Sequence, residues 1–138
     1  MAYLPEITVV DADLIIEKGD IANYLFDQAD FTNQIADGKR IVYYLIKKHY
    51  QGLETGKTEA QIVADLLLVK DKSENLLKKK IVLTTIALIM RANEMLDMFR
   101  EYDQYAKSIQ LDYYVDLDED SVISSSEELI TPRATFGR

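Results

Sequence analysis

The sequence predicts a mainly α-helical fold: a small helical bundle with a long last core helix, followed by an extended C-terminal arm. Three observations carry that expectation. Glycine and proline number only 5 and 2 in 138 residues, too few for a turn-rich all-β chain. Apolar residues recur at helical spacing through the middle of the sequence. After Leu111 that pattern stops and acidic residues take over.

The first ten residues hold Ile7, Thr8, Val9 and Val10 behind Pro5, a short β-prone stretch that reads as a brief strand or extended lead-in. Asp11 to Gly19 reads as a short helix, with Asp11 as N-cap and Gly19 as the stop. A connection through Asp27 follows. From about Gln28 to Gln51, Phe31, Ile35, Val42, Leu45 and His49 are spaced by three, four or seven and form one helical stripe. Gly38 interrupts it. A glycine inside a helix costs about 1 kcal/mol relative to alanine, so Gly38 marks a kink or a close helix contact.

Thr58-Glu-Ala-Gln61 is a capping box, in which the threonine hydroxyl accepts a backbone N–H three residues on and the glutamine reaches back. It opens a helix with Ile62, Val63, Leu66 and Leu67 on one side. Asp71-Lys-Ser-Glu74 repeats the device before the longest helix, expected to run to about Ser108. Its middle, Ile81 to Met90, is apolar nearly all round, as a helix surrounded by neighbours would be. Asp112 to Leu117 alternates and could form a strand, and Asp118 to Glu128 is acidic and serine-rich like a linker. The expected organisation is therefore a lead-in over 1–10, a core over 11–110 and an arm over 111–138. The apolar stripes all precede the arm, so deleting residues 112–138 should leave the core folded.

Composition narrows function. The net charge is −8, the wrong sign for a free nucleic-acid binder, whose affinity comes mostly from phosphate neutralisation. The arm accounts for −5 of it: Asp112, Asp116, Asp118, Glu119, Asp120, Glu127 and Glu128 face only Arg133 and Arg138. Cysteine is absent, so there is no disulfide framework and no thiolate metal site. The N-terminus lacks the basic and long apolar regions of a signal peptide, and the longest apolar run is too short to span a bilayer. A soluble protein is expected.

The motifs that suggest chemistry each fall short. Gly52-Leu-Glu-Thr-Gly56-Lys57-Thr58 has three residues between its glycines where a phosphate loop needs four, and a helix precedes it rather than a strand. Asp116, Asp118, Asp120 and Glu127 sit at calcium-loop positions 1, 3, 5 and 12, but Ser121 takes the place of the turn glycine. His49 is the only histidine, too little for a transition-metal site of the usual kind. No nucleophile elbow accompanies it. Lys78, Lys79 and Lys80 point about 100° apart on a helix, so they read as solvated surface. The nine tyrosines suit protein interfaces or the edges of a core. No catalytic residue, cofactor or metal is expected.

One resemblance goes further. The run Ala36-Asp-Gly-Lys-Arg-Ile-Val-Tyr-Tyr44-Leu45-Ile-Lys-Lys-His-Tyr50 is similar to the second helix of head–tail adaptors (connector or neck proteins) of tailed bacteriophages. Ile86-Ala87-Leu88, Arg91 and Arg100-Glu-Tyr102-Asp103-Gln-Tyr105-Ala106-Lys-Ser-Ile109 resemble their last core helix, and the terminal Arg133 and Phe136 their arm. The glycine often found after that helix is replaced here by Gln110-Leu-Asp-Tyr-Tyr. The resemblance implies a non-enzymatic virion protein, made in the host bacterial cytoplasm and placed in the neck between capsid and tail. It implies a ring, usually of twelve subunits, that binds the portal on one side and tail or stopper proteins on the other, while DNA passes through without specific binding. The arm would tie a subunit to its neighbour or to the portal: Tyr113, Tyr114 and Val115 adding an edge strand, Phe136 filling a pocket and Arg133 pairing with a carboxylate. The alternative is a small acidic regulatory or inhibitor protein acting on a host partner, with an uncharacterised enzyme third.

Overall fold

The computed structural model describes residues 3–73 and 75–117. Over them the chain is mainly helical, as the composition predicts. Five α-helices are present: α1 (Asp11–Glu17), α2 (Thr32–Leu53), α3 (Glu59–Leu66), α4 (Leu76–Ala92) and α5 (Leu96–Ser108). A 3-10 turn spans Ile21–Tyr24, and two three-residue strands, β1 (Val69–Asp71) and β2 (Tyr113–Val115), complete the fold. The lead-in forms turns and bends rather than a strand, and it drives Leu4, Ile7 and Val9 into the core.

Helix α4 is the centre. Ile81, Val82, Leu83, Ile86, Ala87, Ile89 and Met90 are buried around nearly its whole circumference, which explains why no polar stripe is visible in that part of the sequence. The α2 face against the core runs through Ile35, Gly38, Val42, Ile46 and Tyr50. Leu45, expected on that stripe, is exposed. At Gly38, α2 passes α4 so closely that an added Cβ would lie 2.1 Å from Thr85 Oγ1 and 3.3 Å from Thr85 Cα. Gly38 is the point of closest approach, a contact rather than a kink.

The expected single last helix is two. After Ala92 the Glu94 N–H donates to Arg91 O at 3.1 Å and the Met95 N–H to Met90 O at 2.9 Å. Glu94 has φ 59°, so this is a Schellman stop with glutamate in the left-handed position glycine usually takes. The chain reverses, and α5 runs antiparallel to α4. Buried Lys80, near the start of α4, donates to Ala106 O at 2.7 Å and to Ile109 O at 2.8 Å at the end of α5. Carbonyls at a helix C-terminus have no intrahelical partner and carry partial negative charge, so the ammonium satisfies both needs. Burial pushes Lys80 below the ordinary lysine pKa. Lys80 is thus an internal clamp and not part of a solvated lysine run. Lys78 pairs with Asp13 at 3.2 Å, and Lys79 alone of the three is well exposed.

The helix starts are also fixed by side chains. The Thr58–Gln61 capping box is present in both directions: Thr58 Oγ1 accepts from the Gln61 N–H at 3.2 Å and Gln61 Oε1 from the Thr58 N–H at 2.8 Å. Asp71 does cap α4, but from β1, its carboxylate accepting the Leu77 and Lys78 N–H groups at 2.7 and 3.0 Å. Its proposed box partner, Glu74, lies outside the described residues. Val10, not Asp11, is the N-cap of α1. Asp11 instead accepts the Phe31 N–H at 3.1 Å, tying the start of α1 to the start of α2.

Strands β1 and β2 pair antiparallel, Val69 with Val115, Lys70 with Tyr114 and Asp71 with Tyr113. This corrects the expected boundary at residue 111. Tyr113 and Val115 are fully buried and Tyr114 nearly so, and Leu111 packs against the core, so residues 111–116 belong to the core. The alternation of Asp112 to Leu117 does mark a strand, but its partner is within the same chain.

Candidate interaction surface

The five residues expected to form the arm's contacts separate into two groups. Tyr113, Tyr114 and Val115 are not free arm contacts: they pair with β1 along one strand edge, and their side chains fill the core. Arg133 and Phe136 lie outside the described residues, as does most of the acidic 116–127 segment. Its first proposed calcium ligand, Asp116, is buried and paired with Lys70 at 3.1 Å.

Two polar clusters join separate elements of the fold. Tyr50, at the start of the last turn of α2, donates its hydroxyl proton to Asp65 Oδ2 of α3 at 2.7 Å. Lys57 donates to the same Asp65 oxygen and to Tyr50 Oη, the latter at 3.1 Å. Burial, then the Asp65 contact, pushes Tyr50 up to about 12, and the Asp65 contact raises Lys57. Both groups therefore keep their protons at neutral pH. The cluster staples the α2–α3 loop, and the lysine of the apparent phosphate loop is one of its members.

The second cluster is a contact between His49 Nδ1 and Tyr113 Oη at 2.7 Å, with the rings edge to face at 5.8 Å between centroids. It fastens β2 to α2. Burial holds His49 below its ordinary value of 6.5 and raises Tyr113. The native state thus favours neutral His49. A group with a depressed native pKa contributes stability that is present above its unfolded pKa and lost as pH falls through the native one. Stability should therefore decline below about pH 6.5, and thermal melts at pH 7.5 and pH 5 will show it. His49→Gln, which keeps a polar partner for Tyr113 without titrating, should flatten that part of the profile. An unchanged slope would remove His49 as its cause.

The outer surface carries large apolar side chains that the core does not use. Ile16 is 80% exposed and Phe26 75%. Leu96 and Tyr105 on α5, Tyr44 and Leu45 on α2, and Val10 before α1 are also exposed. Single apolar residues scattered over a protein surface are normal, and Ile16 and Phe26 are the two most exposed of the large ones among the described residues. A groove of about 600 Å³ lies between the start of α1 and the start of α2, with Val9, Val10, Ala12, Ile35 and Ala36 as apolar wall and Lys39 at one side. Nothing in the sequence pattern distinguished these positions, because an exposed phenylalanine and a buried one look alike until the chain is folded.

Among the described residues no group of histidine, cysteine, aspartate and glutamate could hold a metal ion. No helix among them is long and apolar enough to cross a membrane. No family model matches the chain, and no curated protein and no solved structure does so either.

Proposed function

We propose that this chain is a structural virion protein, the subunit of a ring that joins the capsid portal to the tail of a tailed bacteriophage. The observation that carries the reading is a filled helical core whose outer surface still presents Ile16, Phe26, Leu96 and Tyr105 to solvent. Such side chains are the anchors of protein contacts, since aromatic and aliphatic groups removed from water supply most interface energy. The resemblance to head–tail adaptors supplies the kind of assembly: lateral contacts between copies, twelve by analogy with that family, with the portal on one side and tail or stopper proteins on the other. The net charge of −8 suits a channel wall that passes DNA without holding it, because an acidic surface forgoes counterion release. The neck of the virion is the corresponding location.

The interaction arm in this reading begins at residue 118. Residues 118–138 have a net charge of −3 and a fully extended reach of about 70 Å at ~3.3 Å per residue. Arg133 and Phe136 remain its proposed contacts. A chain ending at Leu117 should keep its fold and lose its place in the assembly. Particles produced with that truncation should be non-infectious and lack joined tails, whereas normal tail attachment would remove the arm's role. An acidic inhibitor of a host protein is the competing assignment, and it predicts a chain absent from purified particles.

A further inference from the structure

The most exposed aromatic among the described residues stands on a tight turn. The Gln28 N–H donates to Leu25 O at 3.0 Å, which leaves Phe26 and Asp27 as the two corner residues. Phe26 has φ 53°, a left-handed conformation favoured by glycine and asparagine and uncommon for a bulky side chain. Its ring is 75% exposed, so packing within the subunit does not compensate the strained backbone. Backbone strain retained without an internal reason is characteristic of functional contacts.

The groove between α1 and α2 has the complementary character. Its wall is apolar, and Lys39 lies beside it half-buried with no ionic partner among the described residues. Burial lowers its pKa. The groove also holds two carboxylates, each accepting a backbone N–H at 3.1 Å: Asp11 from Phe31 and Asp30 from Thr32. Asp27, next to Phe26, is exposed and likewise has no ionic partner among the described residues.

The turn and the groove meet α2 at different flanks. Thr32, Ile35, Ala36 and Lys39 line the groove from one flank of α2. The turn is held at another, through Gln34 Nε2 donating to Gln28 Oε1 at 2.9 Å. At ~100° per residue, Gln34 lies about 150° around the helix axis from the centre of the groove-lining set. A knob and a hole on opposite flanks cannot satisfy each other within one two-fold pair. They can do so head to tail, the arrangement that repeats into a ring or a filament.

We propose that a second copy of this chain occupies the groove, its Phe26 ring against Val9, Val10, Ile35 and Ala36 and its Asp27 carboxylate paired with Lys39. This names the lateral contact of the ring and in that respect rests on the ring reading. Sedimentation velocity of the full chain over a range of concentrations tests it. The wild type should form species larger than a dimer. Phe26→Asn suits the left-handed turn, so its melting temperature should match or exceed the wild type while its association weakens at least tenfold. Asp27→Lys and Lys39→Glu should each weaken association, and the two together should restore it. A wild type that stays monomeric, an assembly that stops at a dimer, or a Phe26→Asn variant that assembles as the wild type does would each overturn this contact. The last of these leaves a ring built through another face intact. The ring reading itself fails separately, if purified particles lack the chain.

Discussion

Replacing Gly38 with alanine should destabilise the fold, although alanine is the better helix former. In an open helix the change would gain about 1 kcal/mol. Here the new methyl would lie 2.1 Å from Thr85 Oγ1 and 3.3 Å from Thr85 Cα. The hydroxyl cannot simply swing away, because it donates to Ile81 O at 2.8 Å in a fully buried position. The helices must separate, and overpacking a core of this kind costs about 1–3 kcal/mol or more. A net loss of about 1–2 kcal/mol corresponds to a fall in Tm of roughly 3–12 °C for a domain of this size. Gly38→Val should be worse, since a second branch meets the same wall. Thr85→Ala in the Gly38→Ala background should recover part of the loss, a coupling that a double-mutant cycle measures directly. A Gly38→Ala protein more stable than the wild type would show that the two helices do not pass at that distance.

Ending the chain after Leu111 should unfold it, whereas ending it after Leu117 should not. The longer deletion removes Tyr113, Tyr114 and Val115, all buried. It also strips β1 of its partner and His49 of the Tyr113 hydroxyl. Burying a large apolar side chain contributes about 1.5–3 kcal/mol, so three of them represent roughly 5–9 kcal/mol. Whole domains are stable by only about 5–15 kcal/mol. Circular dichroism melts of the two truncations will separate them: a cooperative transition near that of the full chain for the one ending at Leu117, and no cooperative transition for the one ending at Leu111. This reverses the expectation from the sequence, in which everything after residue 111 was arm.

That reversal shows where the sequence stops being informative. Apolar spacing identified α2, the Thr58 capping box identified the start of α3, and the largely apolar stretch of Ile81 to Met90 identified a central helix. These are local signals, each contained in one element. What escaped were pairings across the chain. The strand at Tyr113 was visible, but its partner at Val69–Asp71 is three residues long and sits between two helices. The end of α4 was hidden because Glu94 occupies a position where glycine would have announced it. Leu45 and Ile46 are adjacent and both aliphatic, and only the packed helix shows that Ile46 faces inward. Lys80 looked like one member of a basic run, because its acceptors, Ala106 O and Ile109 O, are backbone atoms that no sequence pattern displays. The same holds for the proposed surface: Phe26 and the groove beside Lys39 are defined by exposure and backbone conformation, not by residue type.

The central proposal, a ring between portal and tail, is tested most directly by cryo-electron microscopy of the tailed-phage particles to which it assigns this chain. The account predicts density for multiple copies of the α1–α5 fold arranged as a closed ring below the portal, with residues after Leu117 traceable onto a neighbouring subunit or the portal. A neck with no density that accepts this fold, together with particles free of the chain by mass spectrometry, would contradict it.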